Sequence, residues 1–185
     1  MFEGVHAYPE GASTVSRLAL TAAELGYEGI VLRNHGDKQP SYDREKIAET
    51  YGIDVVAGVE VRAERPSRAS GFVGSHRDNK SIVLVHGGDI DMNRFAVEQP
   101  AVDVLAHPMK GDGDINHVLA RIAAQNGVHL EYSLKDVLRA EGGRRVEAIK
   151  NLRKLRELIE QYDPPYVVSG DPTSHLQLRG PRDLI

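Results

Sequence analysis

The chain has no cysteine among its 185 residues. Neither a disulfide framework nor a thiolate metal site can form, and a reducing compartment is the expectation. Tryptophan is absent too, and aromatic residues make up 5% of the chain. With so few rings, binding of single strands by a stacking platform is not expected. No apolar run approaches the ~20 residues of a membrane span. The opening Met1-Phe2-Glu3-Gly4-Val5-His6 lacks the basic segment and apolar core of a secretory leader. A soluble, cytoplasmic protein without a membrane partner is expected. Basic charge is not in excess: 23 Lys and Arg stand against 27 Asp and Glu, a net charge of −4. That excludes a uniformly basic nucleic-acid binder and directs attention to local patches.

What is present is an alternation of short apolar runs with helical patterns. Strands are expected over residues 2–6, 29–35, 54–62, 81–86, 102–107, 128–132 and 166–168. Helices are expected from a cap at Ser13 or Thr14 to about Tyr27, over 42–51 behind Ser41, over 91–98, and over 115–126 before Gly127. The longest pattern, 141–162, places Val146, Ile149, Leu152, Leu155 and Ile159 at helical spacing. Residues 64–79 show no clear period and read as a loop with room for a short helix. Alternating β and α elements imply a parallel sheet with right-handed crossovers. No glycine-rich phosphate fingerprint follows the first strand, which argues against a dinucleotide-binding sheet. The expected fold is a single α/β domain over 1–185, a distorted TIM-like barrel of about seven parallel strands, shorter than the ~250 residues of a full barrel.

Barrels carry their sites at the C-terminal ends of the strands. Here those ends read His6, Arg33 and His35, Glu60 and Arg62, His86, His107, Glu131, and Asp171. Strand ends are polar simply because they meet solvent, but every expected strand delivers an ionisable group. Mixed carboxylates and imidazoles suit divalent metals and phosphate chemistry. His76 and His117 read as solvent-facing, His129 as structural, and His86, in His86-Gly87-Gly88-Asp89, as part of a turn rather than a ligand.

Two resemblances follow from particular residues. Gly58-Val59-Glu60 and Ala106-His107-Pro108 stand where the polymerase and histidinol phosphatase (PHP) phosphoesterases carry Gly-x-Glu and Ala-His-Pro. The ends of that pattern depart: Tyr8 and Thr173 stand where PHP enzymes have histidine. The resemblance thus implies a PHP-like barrel with an eroded metal cluster of His6, His35, Glu60, His107 and Asp171, and no metal is expected to bind tightly. The closing Leu176-Gln177-Leu178-Arg179-Gly180-Pro181-Arg182-Asp183-Leu184-Ile185, after Ser169-Gly170-Asp171, resembles the archaeal ribonuclease P protein component 3 family. So does Asn151-Leu152-Arg153-Lys154-Leu155.

That resemblance implies a subunit that assists a catalytic RNA in removing 5′ leaders from precursor tRNA. It implies a small protein partner (component 2), other ribonuclease P proteins, precursor tRNA as an indirect partner, and Mg2+ as a requirement of the holoenzyme's RNA. No residue of this chain would be catalytic. Family members usually continue past the Asp-Leu-Ile motif, so a final helix beyond Ile185 is allowed for. A stand-alone PHP-type phosphoesterase using the histidine and carboxylate cluster is the alternative.

Candidates for RNA or partner contact are Arg33, Arg62, Arg179 and Arg182, with Arg144, Arg145, Lys150, Arg153 and Lys154 on the long helix. Such a run ordinarily marks a solvated helix face; on an acidic chain it also suits phosphates, with little sequence preference. Arg179 is expected just ahead of a short helix begun by Pro181, on the same rim as Asp171, free for an anion or paired with a carboxylate.

Overall fold

Valine, isoleucine and leucine dominate runs too short for helices, and these pair as a continuous parallel sheet. A computed structural model describes residues 1–111 and 114–184. Its strands are β1 (Phe2–Val5), β2 (Gly29–Leu32), β3 (Asp54–Val61), β4 (Ile82–His86), β5 (Val104–Ala106), β6 (His129–Ser133) and β7 (Tyr166–Ser169). They lie side by side in chain order, every pair parallel. The first half of β3 pairs with β2 and its second half with β4. That stagger tilts the strands and curls the sheet into a nearly closed barrel. All seven expected strands are found.

The helices are α1 (Val15–Glu24), α2 (Arg44–Tyr51), α3 (Pro66–Arg77), α4 (Ile90–Glu98), α5 (His117–Asn126), α6 (Lys135–Arg139) and α7 (Gly142–Tyr162). Thr14 caps α1, accepting from the Arg17 amide. Asp43, rather than Ser41, caps α2. Residues 64–79 form a 12-residue helix with proline in its first turn, which the sequence hides because only Ala69 and Val73 are buried. One apolar cluster packs α4, α5 and α7 on the sheet through Val83, Leu105, Leu119, Leu130 and Leu155. Another packs α1 and α2 through Val5, Leu18, Ile30 and Ile47. The expected apolar stripe of α7 is only partly used: Leu155 is its one fully buried residue, and Val146 is 67% exposed.

Between β7 and β1 the ladder stops, and the C-terminal segment fills the seam. The His6 amide donates to the Pro172 carbonyl at 3.0 Å, and the Ala12 amide to Thr173 at 2.7 Å. Gln177 then accepts from the Thr173 amide and hydroxyl at 2.9 and 3.1 Å. Leu178 is buried in the α1 cluster and Leu184 is buried as well; each such side chain contributes about 1.5–3 kcal/mol by leaving water. The Leu-Gln-Leu motif is therefore a latch.

Candidate functional site

Inside the barrel mouth lies a cavity of about 390 Å³. Its floor is set by Arg33, which follows β2. Gly4 on β1 has no side chain, and a Cβ there would stand 3.1 Å from the Arg33 Cδ. That space lets the guanidinium lie across the barrel interior, 1% exposed. Arg33 Nε and Nη2 stand 2.8 and 2.7 Å from Glu60, and Nη1 pairs with Glu131. Asp171 is 3.9 Å away. Burial opposes every one of these charges, yet the mutual attraction wins: Arg33 is held firmly protonated, and Glu60 and Glu131 stay below the usual carboxylate range.

The neighbours of Arg33 in sequence are equally committed. Asn34 is buried and clasps the end of β1, accepting from the Ala7 amide at 2.9 Å and donating to its carbonyl at 2.6 Å. His35 pairs with Glu10 through Nδ1, and its amide donates to the same carboxylate at 2.8 Å.

Above the floor, His6, His35, His86 and His107 form a row, ring centroids 5.7, 5.8 and 4.8 Å apart. His6 Nε2 lies 3.0 Å from Asp171 Oδ1 and its Nδ1 3.3 Å from Glu10. Burial works against the charge on His6, but these carboxylates raise its pKa to about 9. Glu10 is correspondingly pulled down to about 2 by His6 and His35, against the effect of burial. His107 accepts no such help: burial lowers its pKa despite Glu131 at 3.5 Å and Asp171 at 3.6 Å. Asp171, buried, is depressed by His6 and Arg33, and Lys135 Nζ stands 2.6 Å from its Oδ2. His107 and Asp171 both have left-handed backbone, φ 51° and 46°, a strained conformation that the surrounding contacts must hold.

The structure brings together all five expected cluster residues and adds Glu10, His86, Glu131 and Lys135. His86 corrects the turn reading: it ends β4 and pairs through Nδ1 with Glu60. Arg33 corrects a second reading, since its buried guanidinium has no surface to offer RNA or a protein. Of the remaining basic candidates, Arg62 and Arg144 line the cavity mouth with Lys110 and Lys135. Arg145, Lys150, Arg153 and Lys154 are exposed along α7. Lys150 lies 3.4 Å from Glu147 and Lys154 2.5 Å from Asp114. Arg182 is exposed.

Arg179 does not share a rim with Asp171. Its carbonyl accepts from the Tyr27 hydroxyl, just ahead of β2, at 2.9 Å, and its guanidinium folds back on Leu178. Among the described residues it makes no ion pair. Pro181 does begin a 3-10 turn, and Asp183 accepts from the Gly180 amide at 3.2 Å. His76 is half-buried against Gly36 rather than solvent-facing. His117 is exposed, and the His129 ring lies 3.3 Å from the Asp103 carbonyl.

Glu3 was not legible as a polar site. Buried in β1, it accepts from the Ser169 hydroxyl and the Gly170 amide, each at 3.2 Å. Burial raises its pKa to about 7.

A PHP-type divalent centre needs carboxylates free to face the ions. Here Arg33 spans Glu60 and Glu131, and Lys135 holds Asp171, so the cations of the protein occupy the anionic donors. Tyr8, at the position of a PHP histidine, is 66% exposed and turned to solvent. Thr173 is engaged by Gln177. The donor set does not fit a multinuclear centre. Among the described residues two groupings could hold an ion, His6 with Glu10 and His35, and His35 with Glu60 and His86. Glu60 in the second is already bound to Arg33.

Known proteins share the sequence and the fold. A ribonuclease P protein component 3 from Haloarcula marismortui is 63% identical over 185 residues, covering 100% of this chain and 79% of that protein. One from Natronomonas pharaonis is 61% identical over 184 residues, covering 100% and 77%. Among solved structures, a chain in archaeal ribonuclease P with mature tRNA superposes with a TM-score of 0.83 at 28% identity, covering 100% of this chain and 79% of that one. Histidinol phosphate phosphatase from Lactococcus lactis, complexed with zinc, L-histidinol and phosphate, shares the fold at a TM-score of 0.61 and 12% identity, covering 100% and 92%. The family model described as RNase P subunit p30 matches residues 3–185. The chain belongs to that family.

Proposed function

We propose that this chain, a protein subunit of the tRNA 5′-processing endoribonuclease ribonuclease P, acts as a rigid brace for the enzyme's RNA and performs no hydrolysis itself. The observation that carries the reading is the Arg33 guanidinium seated between Glu60 and Glu131, where a metallophosphoesterase would need those carboxylates free. The barrel's charged interior then serves stability. Contact with the catalytic RNA and with a small partner protein falls to exposed cations: Arg62, Arg179 and Arg182, and Arg144, Arg145, Lys150, Arg153 and Lys154 of α7. Such phosphate contacts position without reading sequence. Other ribonuclease P proteins complete the particle, and precursor tRNA is met indirectly. Mg2+ serves the RNA, and this chain binds no metal tightly. The cytoplasm is the proposed place of work; among the described residues no helix is long and apolar enough to cross a membrane.

Reconstitution tests this. Cleavage of precursor tRNA by the RNA and the partner protein is measured with and without this chain at limiting Mg2+. The expected result is faster cleavage, or a lower Mg2+ requirement, when the chain is added. Unchanged cleavage, together with chelator-sensitive phosphatase activity of the chain alone, would establish the phosphoesterase instead.

A further inference from the structure

Beside the central cavity lies a second cleft of roughly 710 Å³, within the ~300–1,000 Å³ typical of small-ligand pockets. One wall is α3, whose Arg68, Phe72, Ser75 and His76 fall at helical spacing on one face and all line the cleft. The opposite wall is the turn Gly36–Lys38. The floor is the chain leaving β3, with Arg62. Glu10, His35 and Arg62 are shared with the central cavity, so the two hollows adjoin.

Phe72 is 45% exposed, an apolar ring lining the cleft. Arg62 and Arg68 are exposed, and among the described residues neither makes an ion pair. Arg68 lies one turn before Phe72 on the same face of α3, and Arg62 lies on the floor of the cleft. Asp37 and Ser75 add an acceptor and a hydroxyl at the walls. The cleft is neither simply cationic, since Glu64 and Asp37 also line it, nor an apolar patch, since Val61 and Ala63 are its only aliphatic lining and Val61 is buried. Protein–protein contacts are built around an apolar centre, which this cleft lacks. A face for stacking, cations for a phosphate, and polar groups for a base edge are together the recognition chemistry of one unstacked nucleotide.

We propose that the cleft between α3 and the Gly36–Lys38 turn is a subsite for a single unpaired nucleotide of the ribonuclease P RNA, its base stacked on Phe72 and its phosphate met by Arg62 and Arg68. The sparse aromatics that argue against a stacking platform do not bear on this, because one ring suffices for one base. The proposal rests on the ribonuclease P reading and extends it.

The test uses the chain assembled with its RNA and partner proteins. Phe72 is replaced by p-benzoylphenylalanine, the complex is irradiated, and adducts are identified by mass spectrometry. An RNA adduct at a single nucleotide is expected; a protein adduct, or none, overturns the proposal. In parallel, RNA affinity is measured for Phe72→Ala, Phe72→Trp and Arg68→Gln. One lost stacking contact corresponds to a fivefold or greater weakening, so Phe72→Ala should show about that loss at unchanged melting temperature. Phe72→Trp should restore binding, and Arg68→Gln should weaken it with a shallower salt dependence. Wild-type affinity for Phe72→Ala, or failure of Phe72→Trp to restore it, refutes the subsite. Should the wild-type chain itself fail to stimulate precursor tRNA cleavage, the ribonuclease P reading fails first, and the two failures are told apart.

Discussion

Replacing Arg33 by methionine should expose what the barrel interior depends on. The side chain is buried, and it neutralises Glu60 and Glu131 directly, with Asp171 nearby. Methionine fills much of the same space but leaves two buried carboxylates without their cation. Breaking a buried pair from one side costs about 3–5 kcal/mol, against about 5–15 kcal/mol for the whole stability of a typical domain. Urea denaturation at pH 7 measures the loss.

The pH dependence is the sharper reading. In the wild type, Glu60 and Glu131 are held below the ordinary glutamate value of 4.5. Their contribution is present above that value and declines as pH falls. In Arg33→Met their pKa values rise with burial uncompensated, so the variant gains stability as they protonate. The gap between the two proteins should therefore narrow from the variant's side as pH falls from 7 toward 4.5, and from the wild type's side only below 4.5. Adding Glu60→Gln and Glu131→Gln should recover most of the loss at pH 7. A loss under about 1 kcal/mol, or one that does not vary with pH, would refute the assignment of Arg33 as the interior counter-ion.

Further outcomes follow from the same geometry. His6 is raised from 6.5 to about 9, so its contribution is complete below the lower value and lost as pH rises through the upper. Glu3, raised by burial from 4.5 to about 7, likewise removes stability as pH climbs through that interval. Melting temperature should thus fall from mildly acidic pH toward pH 9, with His6→Asn flattening the upper part of the profile and Glu3→Gln the lower. On α7, Arg153→Glu with Lys154→Glu should change stability by under about 0.5 kcal/mol. The exposed Lys154–Asp114 pair is worth at most about 1 kcal/mol. The same double change should weaken RNA association and reduce its log–log salt slope by about 2, read by anisotropy at several salt concentrations. Elemental analysis of the dialysed protein should find well below one equivalent of zinc or manganese; about one or more, with chelator-sensitive phosphatase activity, would reverse the metal reading.

β2, β3, β4 and β7 were legible as short runs rich in valine and isoleucine that end in or lead into polar residues, the mark of a buried parallel sheet. The rim cluster was legible for the same reason: strand ends in a barrel converge. Residues 64–79 were not, because α3 buries too few side chains to print a period. The role of Arg33 was hidden because an arginine at a strand end looks the same whether it turns outward to a phosphate or inward to a carboxylate. Its one local signal was Gly4 on the neighbouring strand, which removes the side chain that would block the interior. His86 was obscured by the Gly87-Gly88 that follows, which marks a turn without saying that the imidazole before it points into the barrel. Glu10 lies in a connection and Lys135 opens the five-residue α6, where pattern arguments reach least. Arg179 was misplaced because the tail runs back along the β1–β7 seam, a course dictated by the burial of Leu178 and Leu184 rather than by any period.

These particulars separate two tasks that a phosphoesterase barrel would combine. In a metal enzyme, the cations that hold a cluster of carboxylates together are exchangeable and face the substrate. Here the corresponding charges are Arg33 and Lys135, covalently part of the chain, with Arg139 Nη1 donating to the Asp171 carbonyl at 3.1 Å. His107 and Asp171 remain in left-handed backbone that costs about 1–3 kcal/mol each, so the surrounding contacts must hold them against that strain. Arg33 and Lys135 thus hold Glu60, Glu131 and Asp171 from within the chain. What does face outward is the cation-lined mouth with Arg62, Lys110 and Arg144, the Phe72 cleft beside it, and the exposed half of α7. An RNA partner would therefore meet the rim and leave the deep cavity untouched.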